Sequence, residues 1–86
     1  MHDTQSLRSV MLDLVAAGGA APIPQPVEYW RRNLMCVVGR VSKTETEEVL
    51  FALEEAGLVA SALDPLGLRR FSVTPTGLAA NMQVKG

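Results

Sequence analysis

Apolar residues recur with a helical period along the chain, and the first such segment lies near the N-terminus. Its members follow the spacing i, i+3, i+4, i+7 and i+8: Leu7, Val10, Met11, Leu14 and Val15. This spacing places all of them on one face of a helix. Asp3, Thr4 or Ser6 can cap the start of that helix, and the Gly-Gly pair at 18–19 predicts its end.

A connector with two prolines separates this helix from the next one. Pro22 and Pro24 exclude a helix over residues 20–25, so we expect an extended segment with room for one short edge pairing. Pro26 suits the first position of a second helix, and Gly39 suits its C-terminal cap. The predicted buried stripe of this helix consists of Val27, Trp30, Leu34, Val37 and Val38.

A capping box predicts the start of a third helix. In residues 42–45 (SKTE), the Ser42 hydroxyl and the Glu45 carboxylate can each accept the backbone N–H of the other residue. Only two residues separate Gly39 from Ser42, and helices joined by so short a connection pack at an angle, as in a helix-turn-helix. Gly57 ends the third helix, whose predicted buried stripe consists of Thr46, Val49, Leu50 and Leu53.

After Gly57 the pattern changes to that of a β-hairpin. Residues 58–60 predict a strand, residues 64–67 (DPLG) a turn and residues 69–73 a return strand, with Phe71 and Val73 facing the helices. Arg70 and Ser72 face the other way, and Leu58 should help the hairpin pack on the helices. Thr74-Pro75 then predicts the cap and first residue of a short helix, anchored by Leu78.

The elements together predict an α+β fold that is mainly α. The predicted fold is a winged helix-turn-helix with a three-helix core, a two-stranded β-hairpin wing and a short C-terminal helix. We expect one domain over residues 1–80 and a flexible tail over residues 81–86.

Composition narrows the function. The chain has 86 residues and a net charge of −1, which fits one small domain. The single cysteine, Cys36, excludes an internal disulfide and lies in an apolar run, so we interpret it as a small buried hydrophobe. His2 has no second histidine at ligand spacing, so we expect no metal site and no cofactor. We expect a cytoplasmic protein with no membrane contact, because no signal segment or long apolar run is present.

Two segments resemble winged-helix repressors. Residues 42–59 (SKTETEEVLFALEEAGLV) resemble the recognition helix and first wing strand of MarR-like and ArsR-like regulators. Residues 69–78 (RRFSVTPTGL) resemble the second wing strand of the same families and the segment that follows it. The resemblance implies a DNA-binding transcriptional regulator, with the third helix (about residues 42–56) in the major groove and the wing (about residues 58–73) on the backbone.

The resemblance also implies which side chains meet double-stranded DNA. A phosphate is favoured at the start of the third helix by free N–H groups and the helix dipole, and arginines around it can add further contacts. Such regulators act on two half-sites as homodimers. The candidate DNA-binding residues are Arg31, Arg32, Arg40, Ser42, Lys43, Thr44, Arg69 and Arg70.

The third helix also supports an alternative function. Glu47 and Glu48 fall on its exposed face and would repel phosphates, although a carboxylate can accept a hydrogen bond from cytosine. Phe51 either lies exposed beside them, which favours a protein partner, or turns back onto Tyr29 or the first helix. The alternative is a winged-helix protein-interaction module that does not bind DNA, for which a phage origin would suit the small size. An enzyme is not expected, because no nucleophile–base set or phosphate loop is present.

Overall fold

The structure is a computed structural model that describes residues 3–19 and 21–85, so the sequence-based expectation for His2 falls outside the described residues. It confirms a mainly helical winged helix-turn-helix, and the short edge pairing expected in the connector is present as a third strand. A three-stranded antiparallel sheet has the order β1 (Gln25–Pro26), β3 (Arg69–Val73), β2 (Val59–Leu63), because the connector ends in β1, which pairs with β3. The elements are α1 (Thr4–Ala16), β1 (Gln25–Pro26), α2 (Val27–Val38), α3 (Lys43–Glu55), β2 (Val59–Leu63), β3 (Arg69–Val73) and α4 (Pro75–Lys85).

The helix starts follow the capping chemistry of the sequence. The Asp3 carboxylate accepts the N–H of Ser6 at 3.2 Å at the start of α1. The capping box of α3 is confirmed, with both bonds between Ser42 and Glu45 at 3.0 Å. The prediction that Pro26 is the first residue of α2 is wrong. Pro26 is the extended N-cap of this helix, because it is still paired with β3.

A single core joins the helices to the sheet. Met11 of α1, Leu34 of α2, Leu50 of α3 and Phe71 of β3 are all fully buried in it. The indole Nε1 of Trp30 donates a hydrogen bond to the Phe71 carbonyl oxygen at 3.1 Å, which ties α2 to the central strand. All the residues of the predicted α3 stripe are buried.

Two predicted buried positions on α2 are wrong. Val37 and Cys36 are both exposed, because Trp30 and Leu34 set the direction of the buried stripe. In the last turns, the side chains that continue this stripe belong to Met35 and Val38. Cys36 points to the opposite side of the helix.

The end of α3 moves the start of the hairpin to one residue later than predicted. Gly57 has a φ of +80°, its N–H donates to the Glu54 carbonyl oxygen, and the Leu58 N–H donates to Leu53. These two bonds form a Schellman motif that ends the helix. Because Leu58 belongs to this motif, β2 begins at Val59, which is the buried residue, while Leu58 only packs against the edge of the core.

Helix α4 begins as predicted and extends further. The Thr74 hydroxyl accepts the N–H of Gly77 at 3.0 Å and donates to the Gly57 carbonyl oxygen at 2.7 Å. Leu78 packs against the core. The helix continues to Lys85 because residues 79–82 contain good helix formers, so it passes the domain boundary expected at residue 80. A flexible tail stays a prediction, and Gly86 is outside the described residues.

Candidate nucleic-acid interface

A groove of about 320 Å³ separates the first turns of α3 from the hairpin that we call the wing (β2, the turn at 64–68 and β3). The end of β1 and the beginning of α2 also line it, through Pro26, Val27 and Glu28. We call it the α3–wing groove, and its lining consists of Pro26, Val27, Glu28, Lys43, Glu47, Leu68 and Arg69.

The groove brings two of the predicted DNA-binding cations to the same place. Lys43 is the first residue of α3, and Arg69 is the first residue of β3, so the two approach the groove from opposite walls. Two carboxylates, Glu28 and Glu47, line it as well. Glu28 is paired with the Arg31 guanidinium at 3.0 Å, which offsets one of these negative charges.

The other predicted cations occupy different positions. Arg31 is half-buried, and its Nε donates to the Val41 carbonyl oxygen at 2.9 Å, so it fastens the turn between α2 and α3. Arg32 and Arg40 are exposed, on α2 and in the turn, and do not line the groove. Arg70 lies on the outer face of β3, where its Nε pairs with Asp64 at 2.9 Å.

Arg69 is held in place by a short chain of polar contacts. Its Nη1 donates to the Ser61 hydroxyl at 2.9 Å, and that hydroxyl donates to the Glu54 carboxylate near the end of α3. Ser61 lies opposite Phe71 in the β2–β3 register, so this chain crosses from the wing to α3 beside the core. The guanidinium is therefore held by a polar contact, although the residue itself is exposed.

The start of α3 offers fewer free donors than its sequence indicates. The Ser42 hydroxyl is occupied by the Glu45 N–H, and the Glu45 carboxylate occupies the Ser42 N–H. The capping carboxylate also adds negative charge where a phosphate would approach. Lys43 and Thr44 are exposed beside it, and Lys43 is the one cation of α3.

The exposed face of α3 carries the residues of the alternative interpretation. Glu48 is exposed, Glu47 is half-buried in the groove, and Phe51 is 45% exposed. The Phe51 ring meets Phe71 edge-on, with a centroid distance of 5.7 Å and an interplanar angle of 64°. Its contact is thus with the sheet and not with Tyr29, whose ring lies 4.9 Å from Trp30.

Asp64 organises the turn of the wing, a role that sequence reasoning missed although the turn itself was predicted. Its Oδ1 accepts the N–H groups of Leu66 and Leu68, both at 2.9 Å, and its Oδ2 accepts from Arg70. The Leu68 N–H, the Arg70 guanidinium and the Leu66 N–H hold the pKa of the Asp64 carboxyl below its usual range. An aspartate followed by Pro and Gly in a hairpin turn is the signal that indicates such a role.

A second cleft lies at the end of α1 and has about 360 Å³, a volume suited to a small molecule. The edge-on ring pair of Tyr29 and Trp30 forms one wall, and Pro22 of the connector is part of another. Among the residues that the structure describes, no group of three His, Cys, Asp or Glu side chains is placed to hold a metal ion. None of the described helices has the length and apolarity needed to span a membrane.

The fold matches solved structures of transcription regulators. A MarR-family regulator from Silicibacter pomeroyi has a TM-score of 0.72 and 20% identity, with coverage of 96% of this chain and 49% of that chain. MepR, which regulates the Staphylococcus aureus multidrug efflux pump MepA, has a TM-score of 0.74 and 13% identity, with coverage of 92% and 53%. A proposed DNA-binding protein of Ralstonia eutropha JMP134 has a TM-score of 0.70 and 17% identity, with coverage of 100% and 99%.

These similarities confirm that the chain has the winged-helix fold of MarR-type regulators, as residues 42–59 and 69–78 indicated. The chain spans about half the length of the S. pomeroyi regulator and of MepR, and almost all of the R. eutropha protein. No protein-family model matches the sequence, and no curated protein matches it.

Proposed function

We propose that this chain is a DNA-binding transcriptional regulator in which α3 lies in the major groove and the wing lies on the adjacent backbone. The observation that carries the proposal is the position of Lys43 and Arg69 on opposite walls of the α3–wing groove, on a scaffold shared with transcription regulators. In such a scaffold the two walls meet the same duplex, and each cation can contact a phosphate.

The electrostatic attraction of this interface for DNA is weak. The net charge of the chain is −1, and Glu47 adds a negative charge inside the groove. Each phosphate that is neutralised contributes about −0.9 to the slope of log K against log [salt]. With Lys43 and Arg69 as the central contacts and Arg32 and Arg40 as outer contacts, we expect a slope of about −2 to −4 per chain.

The exposed row on α3 supplies base contacts in this proposal. Thr44 and Glu48 lie one turn apart on the exposed face, and Phe51 follows on the next turn. A carboxylate accepts from the N4 amino group of cytosine, and a threonine methyl or a phenyl ring contacts the methyl group of thymine. These preferences make the carboxylates of α3 compatible with DNA binding.

A homodimer is part of the same proposal. Two copies would place two α3 helices in successive major grooves about one helical turn apart, and would double the phosphate contacts that one chain provides. The ratio of protein to DNA at saturation reports this assembly, because a homodimer places two chains on each site.

The test is a titration of random duplex DNA across a salt series. We expect Lys43→Ala and Arg69→Ala each to reduce the salt slope by about one phosphate and to weaken binding on all sequences alike. Arg8→Ala is the matched control, because Arg8 is exposed on α1 and does not line the groove. It should leave the slope unchanged.

Two outcomes would contradict the proposal. Absence of binding by the unmodified chain at low salt would remove DNA as the ligand, and would favour the protein-interaction module with Glu47, Glu48 and Phe51 on its surface. Equal losses in the Arg8 variant and the two groove variants would show that general charge, and not the α3–wing groove, attracts DNA.

A further inference from the structure

The tip of the wing is apolar, which is unusual for a surface expected to meet phosphates. Leu66 is 86% exposed, Leu63 is 63% exposed and Leu68 is 50% exposed, and Pro65 is exposed between them. We call residues 63–68 the wing tip. It contains no lysine or arginine. Apolar side chains exposed near one another are typical of surfaces that contact another molecule.

The wing tip is held rigidly. The Asp64 N–H donates to the Leu68 carbonyl oxygen at 2.8 Å, and the Gly67 N–H donates to the Asp64 carbonyl oxygen at 2.9 Å. The Asp64 carboxylate adds its two bonds to the N–H groups of Leu66 and Leu68. Gly67 has a φ of +85°, a conformation that glycine adopts without strain. The leucines are therefore displayed from a preformed turn, and little entropy is lost when they bind.

The one charge of the wing tip is paired, and cations lie beside the tip. Asp64 carries its only charge, and this charge is paired with Arg70 on the outer face of β3. Leu68 and Arg69 line the α3–wing groove together with Lys43. The apolar tip is thus continuous with the surface on which we place the phosphate contacts.

An apolar tip flanked by cations matches one kind of DNA contact. Leucine and proline side chains can enter the minor groove, separate neighbouring base pairs in part and bend the duplex, while nearby cations hold the backbone. A protein partner would need only the leucines, and would leave the adjoining Lys43 and Arg69 without a role.

We propose that the wing tip enters the minor groove as an apolar wedge, with Leu66 leading, and that it bends the duplex. This inference rests on the proposed DNA-binding function and adds a source of specificity that no phosphate contact provides. Because TpA and CpA steps unstack easily, the wedge favours duplexes that carry such a step beside the α3 contact.

The experiment compares two end-labelled duplexes of about 30 base pairs, one with several TpA steps and one with stiff A-tracts. The unmodified chain should bind the TpA duplex more tightly and bring its ends closer, as read by energy transfer between the labels. Leu66→Ala should weaken binding to that duplex about tenfold, since part of the buried apolar surface is lost, and should abolish both the bend and the preference. Its salt slope should not change, because no phosphate contact is removed.

Met82→Ala is the matched control, because Met82 is a highly exposed apolar residue on α4, outside the wing. Since Leu66 is also highly exposed, both variants should keep the unfolding temperature of the unmodified chain. DNA binding without bending, or an unchanged preference in Leu66→Ala, would refute the wedge and leave the proposed function intact. Absence of DNA binding by the unmodified chain would refute both. Loss of self-association in Leu66→Ala, with DNA binding retained, would identify the tip as a contact between copies.

Discussion

Gly77 is buried where the start of α4 passes close to the exit of α3, so a methyl group added there should destabilise the fold. A Cβ atom at this position would lie 2.1 Å from the Leu58 carbonyl oxygen and 2.9 Å from Cγ2 of Val73. An ordinary C···O contact is about 3.3 Å, so the backbone of α4 or of residue 58 would have to move by about 1 Å. Gly77→Ala therefore forces the start of α4 away from the exit of α3.

The expected magnitude follows from the contacts at this junction. Thr74 bridges the two segments, through its N–H to the Leu58 carbonyl oxygen at 3.1 Å and its hydroxyl to Gly57 at 2.7 Å. Each of these bonds contributes about 0.5–1.5 kcal/mol, and forced overpacking costs about 1–3 kcal/mol. Alanine is favoured over glycine inside a helix by about 1 kcal/mol. We expect a net loss of about 2 kcal/mol in the free energy of unfolding, which lowers Tm by about 8–16 °C.

Urea unfolding followed by the fluorescence of Trp30, the only tryptophan of the chain, measures this loss. The midpoint should fall while the m-value stays constant. Gly18→Ala is the matched control, since a Cβ there would lie 3.4 Å from the Pro22 Cα, an ordinary contact. We expect the control to be neutral or up to about 1 kcal/mol more stable. If Gly77→Ala were as stable as the control, helix propensity would outweigh the close approach, and the reasoning would be refuted.

Two further predictions concern other contacts of the fold. Trp30→Phe removes the donor to the buried Phe71 carbonyl and should lower the free energy of unfolding by about 1–3 kcal/mol, measured by thermal unfolding followed by circular dichroism. Tyr29→Phe is the control and should have little effect. Equal losses in the two variants would contradict a role for the indole N–H. Asp64→Asn should lower Tm at neutral pH, because the pKa of Asp64 is lowered in the folded chain and its carboxylate form is the one that stabilises. The Tm difference between the Asn variant and the unmodified chain should close as the pH falls below about 4, and a difference that is independent of pH would refute this.

Local chemistry explains which parts of the fold could be predicted. The capping box at Ser42, the Thr74-Pro75 helix start and the α3 stripe are encoded by residues close together in the chain, and all are confirmed. The errors on α2 have a different origin, since the helical period alone does not show which side of the stripe the core covers. Val37 and Cys36 are exposed because Trp30, which is hydrogen-bonded to Phe71, sets which face of α2 turns toward the core.

The candidate site was harder to predict, because the folded arrangement of the turns and strands decides which charged side chains are paired. Arg31 and Arg70 have the same side chain as Arg69, yet Glu28, the Val41 carbonyl and Asp64 engage them. The pairing of Arg70 with Asp64 could be inferred from strand alternation and the turn. The positioning of Arg69 by Ser61 required the β2–β3 register.

The contact chain from Glu54 through Ser61 to Arg69 has a mechanical consequence. Together with the Phe51–Phe71 ring contact, it braces the two walls of the α3–wing groove against each other. The helix and the wing are then held at a fixed separation, so the width of the gap between them is set before any ligand binds. Under the proposed function, a duplex that enters this gap has to supply the deformation itself, so differences in the stiffness of DNA sequences would become differences in affinity.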